Sequence, residues 1–392
     1  MFKNISRNNH VLTLGMCVLF SGFVPVQQFL TLYFTEVGEP EVGFMTLIIL
    51  FLFFGTSSLF IGPQCVSTMG LKSSLVISAL CHMLFGVSLL TKNVPIVYVC
   101  SIITGIGAGI MWTAQGVYIL RAAPQDHASE NTSYFFSCFS CASFVGVTIF
   151  GFLKDTFNFH IALMSVTGIG FCSLFFFLVL EDLTMDTTPH TSVLYVLTLL
   201  KDKTIAKIAF YCFFTFLLWG FIFGQMPLEI QKHLGNAYVK YFVSLYFIIF
   251  FLIAFPLGKL TDTLGYTNVL LTVLGTVVIS LLVLSVSINN VLFVIGLLGI
   301  AICFSVMRPL TQSLPRILIP SENLKYLIGL LWCTQTIGII CAQFMPLVLE
   351  HWLQLHDYAD IMYACMMCIG MISTWMIFGV RQSIAEKQAL TG

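Results

Sequence analysis

From Val11 onward the chain is a succession of apolar runs separated by short polar joints. A helix needs about 20 such residues to cross the hydrocarbon core of a bilayer. Twelve runs of that kind are found, at roughly 10–34, 42–62, 72–91, 94–121, 132–153, 160–181, 206–228, 238–258, 268–287, 290–314, 324–348 and 358–380. One long polar connection, about Glu181 to Lys207, divides them six and six. The pattern predicts an all-α membrane protein with twelve transmembrane helices in two six-helix bundles, residues 1–181 and 206–392. Residues 182–205 form the central loop. Its stretch TSVLYVLTLLKDKTIAK from Thr191 reads either as a short amphipathic surface helix or as the start of the seventh span. The first run continues past Pro25 to about Phe34, with no small-residue cleavage site and polar domain after a short apolar core, so it reads as a retained helix.

Composition supports a bilayer as the solvent. Hydrophobic types make up 58% of the 392 residues and charged types 9%, against about 25% charged residues in soluble domains. Lys plus Arg equals Asp plus Glu at 17, so no basic excess points to nucleic acid. The 13 cysteines lie mostly inside apolar runs and read as small packing residues. No metal-ligand spacing and no nucleophile–base set is found, so neither a metal, a cofactor nor an enzyme is expected. His10, His82, His160, His190, His233, His351 and His356 lie near span ends and read as interfacial.

The basic residues set the orientation. With the N-terminus in the cytoplasm, cytoplasmic segments hold twelve Lys and Arg and exterior segments hold four; Arg308 alone lies inside a span. Both termini and the central loop are therefore expected in the cytoplasm. A plasma membrane or bacterial inner membrane is expected, with an endomembrane as the alternative. The halves also match: Gly70 and Gly265 each follow the second span of their half, and Arg121 and Arg316 each end the fourth, both pairs 195 residues apart. Equal halves in equal topology are what a parallel duplication predicts.

Three groups of residues carry candidate chemistry. GKLTDTLGYTN, Gly258 to Asn268, offers a small residue for close helix approach (Gly258), a carboxylate for a helix N-terminus (Asp262) and a turn glycine (Gly265). It resembles the G-x-x-x-D-x-x-G loop of the major facilitator superfamily, and that resemblance implies a state-dependent gating role. The first-half counterpart, PQCVSTMG from Pro63, has Ser67 in place of the acid, which puts that half's gating contact in doubt. GIGAGIMWTAQGVY, Gly105 to Tyr118, places Gly105 and Gly109 on one helix face for tight packing. Together with FFGTSSLFIGP and MGLKSSL it resembles the Unc-ninety-three-like, or ion-channel regulatory, branch of that superfamily over the first ~120 residues.

The third group is polar residues within spans. In the fold that the resemblance implies, the first, fourth, seventh and tenth helices line a central cavity. On them lie Gln27, Gln28, Trp112, Gln115, Tyr118, Gln225, Arg308 and Gln312, the candidate solute site. Each glutamine can instead make a structural bond between helices. Arg308 can snorkel to the nearby interface, or face the cavity and hold a solute anion, since no Asp or Glu inside a span stands ready to pair with it. The expected function is alternating-access transport of a small, anionic solute across the bilayer. The alternative is a non-transporting regulator or trafficking partner of another membrane protein, as the branch resemblance implies for some members.

Overall fold

The computed structural model describes residues 5–124, 127–183, 193–287, 289–349, 359–380 and 384. His190, Thr191, His351 and His356, named above, lie outside the described residues. Among the described residues every regular element is helical. The first half contains α1 (Arg7–Glu36), α2 (Pro40–Phe60), α3 (Gly62–Leu90), α4 (Val94–Ala122), α5 (Ala128–Thr156), α6 (Phe159–Phe171) and α7 (Ser173–Val179). A short α8 (Val193–Thr198) stands in the central connection. The second half contains α9 (Lys203–Gly224), α10 (Met226–Leu234), α11 (Asn236–Leu264), α12 (Tyr266–Ser285), α13 (Asn290–Ser313), α14 (Pro315–Leu318), α15 (Leu324–Leu347) and α16 (Ala359–Phe378). Eleven described stretches are long and apolar enough to cross a membrane, and Met45–Phe60, within the second span, is shorter.

Helix ends follow local chemistry. α2 runs into α3 through Ile61, whose backbone stays right-handed (φ −94°, ψ −44°), so the second span continues to Gly70. There the chain turns with φ +80°, and at Gly265 it turns with φ +83°. Any side chain would be strained at both turns, which explains glycine at these two matched positions. Asn93 and Asn289 each accept a bond from the backbone N–H three residues on (3.2 and 3.0 Å) and start α4 and α13, the fourth span of each half. Asp202 caps α9 in the same way, accepting from Thr204 N at 2.7 Å. Its extended backbone separates α9 from the 3₁₀ turn Leu199–Lys201 and from α8. The central stretch is thus a short helix distinct from the seventh span over its described part.

Helix pairing repeats between the halves. In the first, α3 packs on α4, α2 on α4, α1 on α6 and α7, and α3 on α6. In the second, α12 packs on α13, α11 on α13, α9 on α16, and α12 on α16. These are the same four pairings, third with fourth, second with fourth, first with sixth and third with sixth. The contacts divide the chain into two compact units that differ slightly from the sequence halves. The first is 1–124, 138–196 and 321–333; the second is 125–137, 197–320 and 334–392. Each unit therefore includes the opening turns of one helix from the other half: α15 in the first, α5 in the second.

Glycines stand where backbones touch. A Cβ on Gly105 would lie 2.5 Å from Leu50 O, and one on Gly109 2.5 Å from Ser58 N, so the expected tight face of α4 is used against α2. Gly146 of α5 meets Ser21 O of α1 at 2.2 Å on the same measure, and Gly338 of α15 meets Phe213 O of α9 at 2.3 Å. His82 departs from expectation. It is buried mid-helix, with Nδ1 2.7 Å from Ser78 O and its ring edge-on to Phe20 and Phe23. The distance of a residue from a loop along the chain does not report which face of the helix it occupies.

Gly146→Ala should destabilise the purified protein by about 1–3 kcal/mol, because the added methyl meets backbone that cannot rotate away. Gly168→Ala, with open space around it, should be neutral or gain about 0.5–1 kcal/mol. Thermal unfolding of both variants in detergent checks the pair; equal melting points would remove backbone contact as the reason for glycine at position 146.

Candidate functional site

The first candidate site is where the end of α11 meets the start of α5, within the second unit. The helices run antiparallel over three turns. Ser137 Oγ donates to Phe251 O, and the rings of Tyr134 and Phe255 meet edge-on at 6.0 Å. Gly258 faces Ser133 so closely that a Cβ would fall 2.0 Å from Ser133 Oγ. One turn further on, Asp262 Oδ2 accepts from Glu130 N at 2.9 Å. Glu130 is in the first turn of α5, where backbone N–H groups lack intrahelical acceptors and the dipole favours an anion. His127 Nδ1 stands 3.0 Å from Glu130 Oε2. Neither His127 nor Glu130 was singled out in the sequence; a His three residues before a Glu at a helix start was the available signal.

The first unit contains the matching contact with different chemistry. Gly329 of α15 lies against Ser58 O, 2.2 Å from where its Cβ would stand, and 3.1 Å from the Pro63 ring. Ser67, at the position matching Asp262, donates its hydroxyl to Pro63 O on its own helix at 2.8 Å. The doubt attached to this half is thus realised as a hydroxyl used within α3. Lys325, the match of Glu130 at the 195-residue offset, is buried with its ammonium 5.2 Å from the Tyr326 ring centre.

The second candidate site surrounds Arg308, also within the second unit. Its side chain is 4% exposed. The guanidinium carbon lies 4.4 Å from the ring centre of Phe216, 4.9 Å from Phe136 and 5.2 Å from Trp219. Trp219 stacks on Phe304 at 4.9 Å, and Tyr246 meets both rings at 6.2 and 6.1 Å. Arg308 is thus neither snorkelled out to an interface nor lining open space. It sits in an aromatic enclosure whose members come from α5, α9, α11 and α13. Each cation–π contact is worth about 0.5–2 kcal/mol, more when desolvated.

The remaining candidates fall on both units. In the first, Trp112 is buried against Phe20 (5.2 Å), Phe139 (5.8 Å) and Trp332 (4.7 Å), and Gln115 is fully buried one turn on. Tyr118 donates its hydroxyl to Glu181 O at 2.8 Å, tying α4 to the end of the sixth span. Gln27 and Gln28 are half-buried on α1, and Gln28 Nε2 has no hydrogen-bond partner among the described residues. In the second unit Gln225 ends α9 and is buried, and Gln312 is buried one turn after Arg308 on α13. The structure brings Arg308 together with aromatic rings that no polarity-based reading of the spans could select.

Residues 11–343 match the family described as Major Facilitator Superfamily. The chain belongs to that superfamily. It is an integral, multi-pass membrane protein of the major facilitator fold. Curated relatives are similar over a limited stretch: protein unc-93 homolog A of Bos taurus at 27% identity over 116 residues, and that of Mus musculus at 29% over 113 residues. The match spans 29% of this chain and 24% of each relative, so the chain aligns with about a quarter of their length. Among solved structures, the proton:xylose symporter XylE superposes with a TM-score of 0.77 at 13% identity, covering 95% of this chain and 94% of that one. The human organic anion transporter MFSD10 (TETRAN) gives 0.79 at 12%, covering 95% and 99%. A bacterial homologue of the iron transporter ferroportin, in an outward-facing state, gives 0.76 at 12%, covering 96% and 100%. At such identities these likenesses show the major facilitator fold alone.

Asp262→Asn keeps the acceptor oxygen and removes the charge, a charge-to-dipole contribution on the order of 1 kcal/mol. Amide hydrogen exchange over residues 127–137, read by mass spectrometry, should accelerate about fivefold while exchange in α12 stays unchanged. Unchanged exchange at the start of α5 would show that the carboxylate charge does not hold this contact.

Proposed function

We propose that the protein is a secondary, alternating-access transporter of a small anionic solute, with Arg308 as the residue that recognises the charge. The supporting observation is the burial of a permanent cation inside a span among aromatic rings. A charge at mid-membrane costs about 3 kcal/mol on insertion scales, so such residues mark function by default. The planar guanidinium suits a carboxylate held by paired donors. Gln225 and Gln312 are further candidates on the same unit, and Gln27, Gln28, Trp112, Gln115 and Tyr118 are the candidates on the other. The contact of Gly258, Asp262 and the turn at Gly265 with the start of α5 serves as the gate that opens in one state of the cycle. The superfamily's proton-coupled and anion-transporting members are consistent with this reading.

A second reading is favoured by the similarity to unc-93 homolog A. The protein then regulates or escorts another membrane protein and moves no solute. The two readings separate at Arg308. Anions and neutral solutes are screened by thermal stabilisation; a ligand at a hundred times its Kd stabilises by about 2.7 kcal/mol. For an anion so found, Arg308→Lys should weaken uptake into proteoliposomes, because a point charge lacks the planar fork, and Arg308→Gln should abolish it. Full uptake by Arg308→Gln would remove Arg308 from the site. Capture of a membrane-protein partner unaffected by Arg308→Gln, with no solute found, supports the regulator.

The charge of the loops supports a cytoplasmic position for both termini; a plasma membrane or bacterial inner membrane is the proposed location, with an endomembrane as the alternative. A cysteine at Glu39 or His233, in a background without reactive thiols, should then react with an impermeant reagent applied outside intact cells. One at position 186, which is outside the described residues, should react only after permeabilisation. Labelling of position 186 from outside reverses the orientation.

A further inference from the structure

The short helix after the seventh span carries a histidine where a positive charge would be welcome. α10 (Met226–Leu234) lies beyond Lys203–Ile222, the apolar stretch long enough to cross the membrane. It has nine residues, too few to hold a helix unaided in water. Gln225 separates it from α9 with φ −98° and ψ −37°, and Gly235 ends it with φ +96°. It packs on α9 and α11, with Met226, Glu229 and Ile230 buried along one face. At its far end His233 stacks on Phe293 of α13, ring centres 4.2 Å apart and planes 19° apart. Phe293 is fully buried. His233 Nε2 also stands 3.9 Å from Glu229 Oε2, one turn earlier. The His233 side chain is 32% exposed, so protons reach it from water.

Three interactions improve when His233 takes a proton. The imidazolium pairs with Glu229, which stands four residues toward the N-terminus, the favourable order for such a pair. It sits in the last turn of α10, where the helix dipole favours a cation. Its face lies on the Phe293 ring, so a cation–π attraction replaces a neutral stack. Lys232, exposed in the same turn, opposes these by like-charge repulsion that water and salt screen. The other titratable groups around α10 are Asp360 and Tyr363 of α16, with the carboxylates of Glu229 and Asp360 acting on the Tyr363 hydroxyl, and the exposed Tyr238 and Tyr241 of α11. Of these side-chain types, imidazole is the one that ordinarily changes charge between about pH 5 and 8. The first two interactions require α10 to be helical, and the third requires it to lie against α13. Interactions that need both the proton and the docked helix link the two, so acid favours docking.

We infer that His233 makes α10 a proton-dependent clasp: acid fastens the helix against α13, and loss of the proton loosens it. On the orientation proposed above the acid acts from outside, but the clasp itself needs no particular orientation. α10 starts one residue after Gln225, and Glu229 N donates to Gln225 O at 3.0 Å. Fastening α10 therefore also steadies the backbone at a candidate site residue.

The test is amide hydrogen exchange of the full-length purified protein at pH 5.5 and 7.5. Rates are divided by those of an unstructured peptide at the same pH, which removes the pH dependence of the exchange chemistry. Protection over residues 229–234 should be about fivefold higher at pH 5.5, with α12 unchanged as the internal reference. His233→Gln, at a partly exposed position, should show equal protection at both pH values, at the level of the unaltered protein at pH 7.5. Phe293→Leu, which keeps an apolar side chain, should reduce the difference to about twofold. Should Phe293→Leu not fold, His233→Gln decides alone. Equal protection of the unaltered protein at the two pH values overturns the inference, as does a fivefold difference that survives in His233→Gln. A full fivefold difference in Phe293→Leu overturns the docking on α13.

Discussion

Helices in a bilayer gain little by burying apolar side chains against one another, because lipid already solvates them. What holds them is close backbone approach and the polar contacts such approach allows. That constraint governs this fold. Gly146 against Ser21, and Gly338 against Phe213, let the first and fifth helices of each half touch at main-chain distance. Gly258 against Ser133 and Gly329 against Ser58 do the same where α5 and α15 join the opposite unit. The bond from Glu130 N to Asp262 depends on this packing. It forms one turn beyond Gly258, and a side chain at that glycine would push α5 out of reach of the carboxylate.

Much of this frame is legible in the sequence. Span number and the central connection follow from hydropathy. The 195-residue offset pairs Gly70 with Gly265, and both turn with positive φ. Gly38 and Gly235, which are 197 residues apart and so off that register, also turn with positive φ, at +86° and +96°, after α1 and α10; glycine is too frequent here for them to stand out unaided. Asp262 was readable as a helix-terminus acceptor, but its donor was not, since Glu130 lies 132 residues away in the chain. The surroundings of Arg308 were invisible for another reason. In a chain with 38 phenylalanines, nothing local distinguishes Phe136 or Phe216 from the rings that face lipid. His82 was misplaced because a helix of this composition has no polar face by which to orient it.

The duplicated frame carries different chemistry in its two copies. Asp262 bonds to the neighbouring helix where Ser67 bonds to its own. The start of α15 brings Trp332 onto Trp112 of the fourth span, and the start of α5 brings Phe136 onto Arg308 of the tenth. A ring on a ring is stable with or without a solute. A ring on a guanidinium adds a charge-to-quadrupole attraction that two rings lack. Glu130 and Phe136 are six residues apart on α5, about 9 Å along its axis. While α5 remains a helix, a displacement that draws Phe136 from Arg308 also strains the bond to Asp262. The reverse holds equally, since coupling between two contacts on one rigid element is reciprocal. The second unit therefore joins Arg308 to the Asp262 contact through two turns of α5, where the first unit has a tryptophan pair and Ser67 in the matching places.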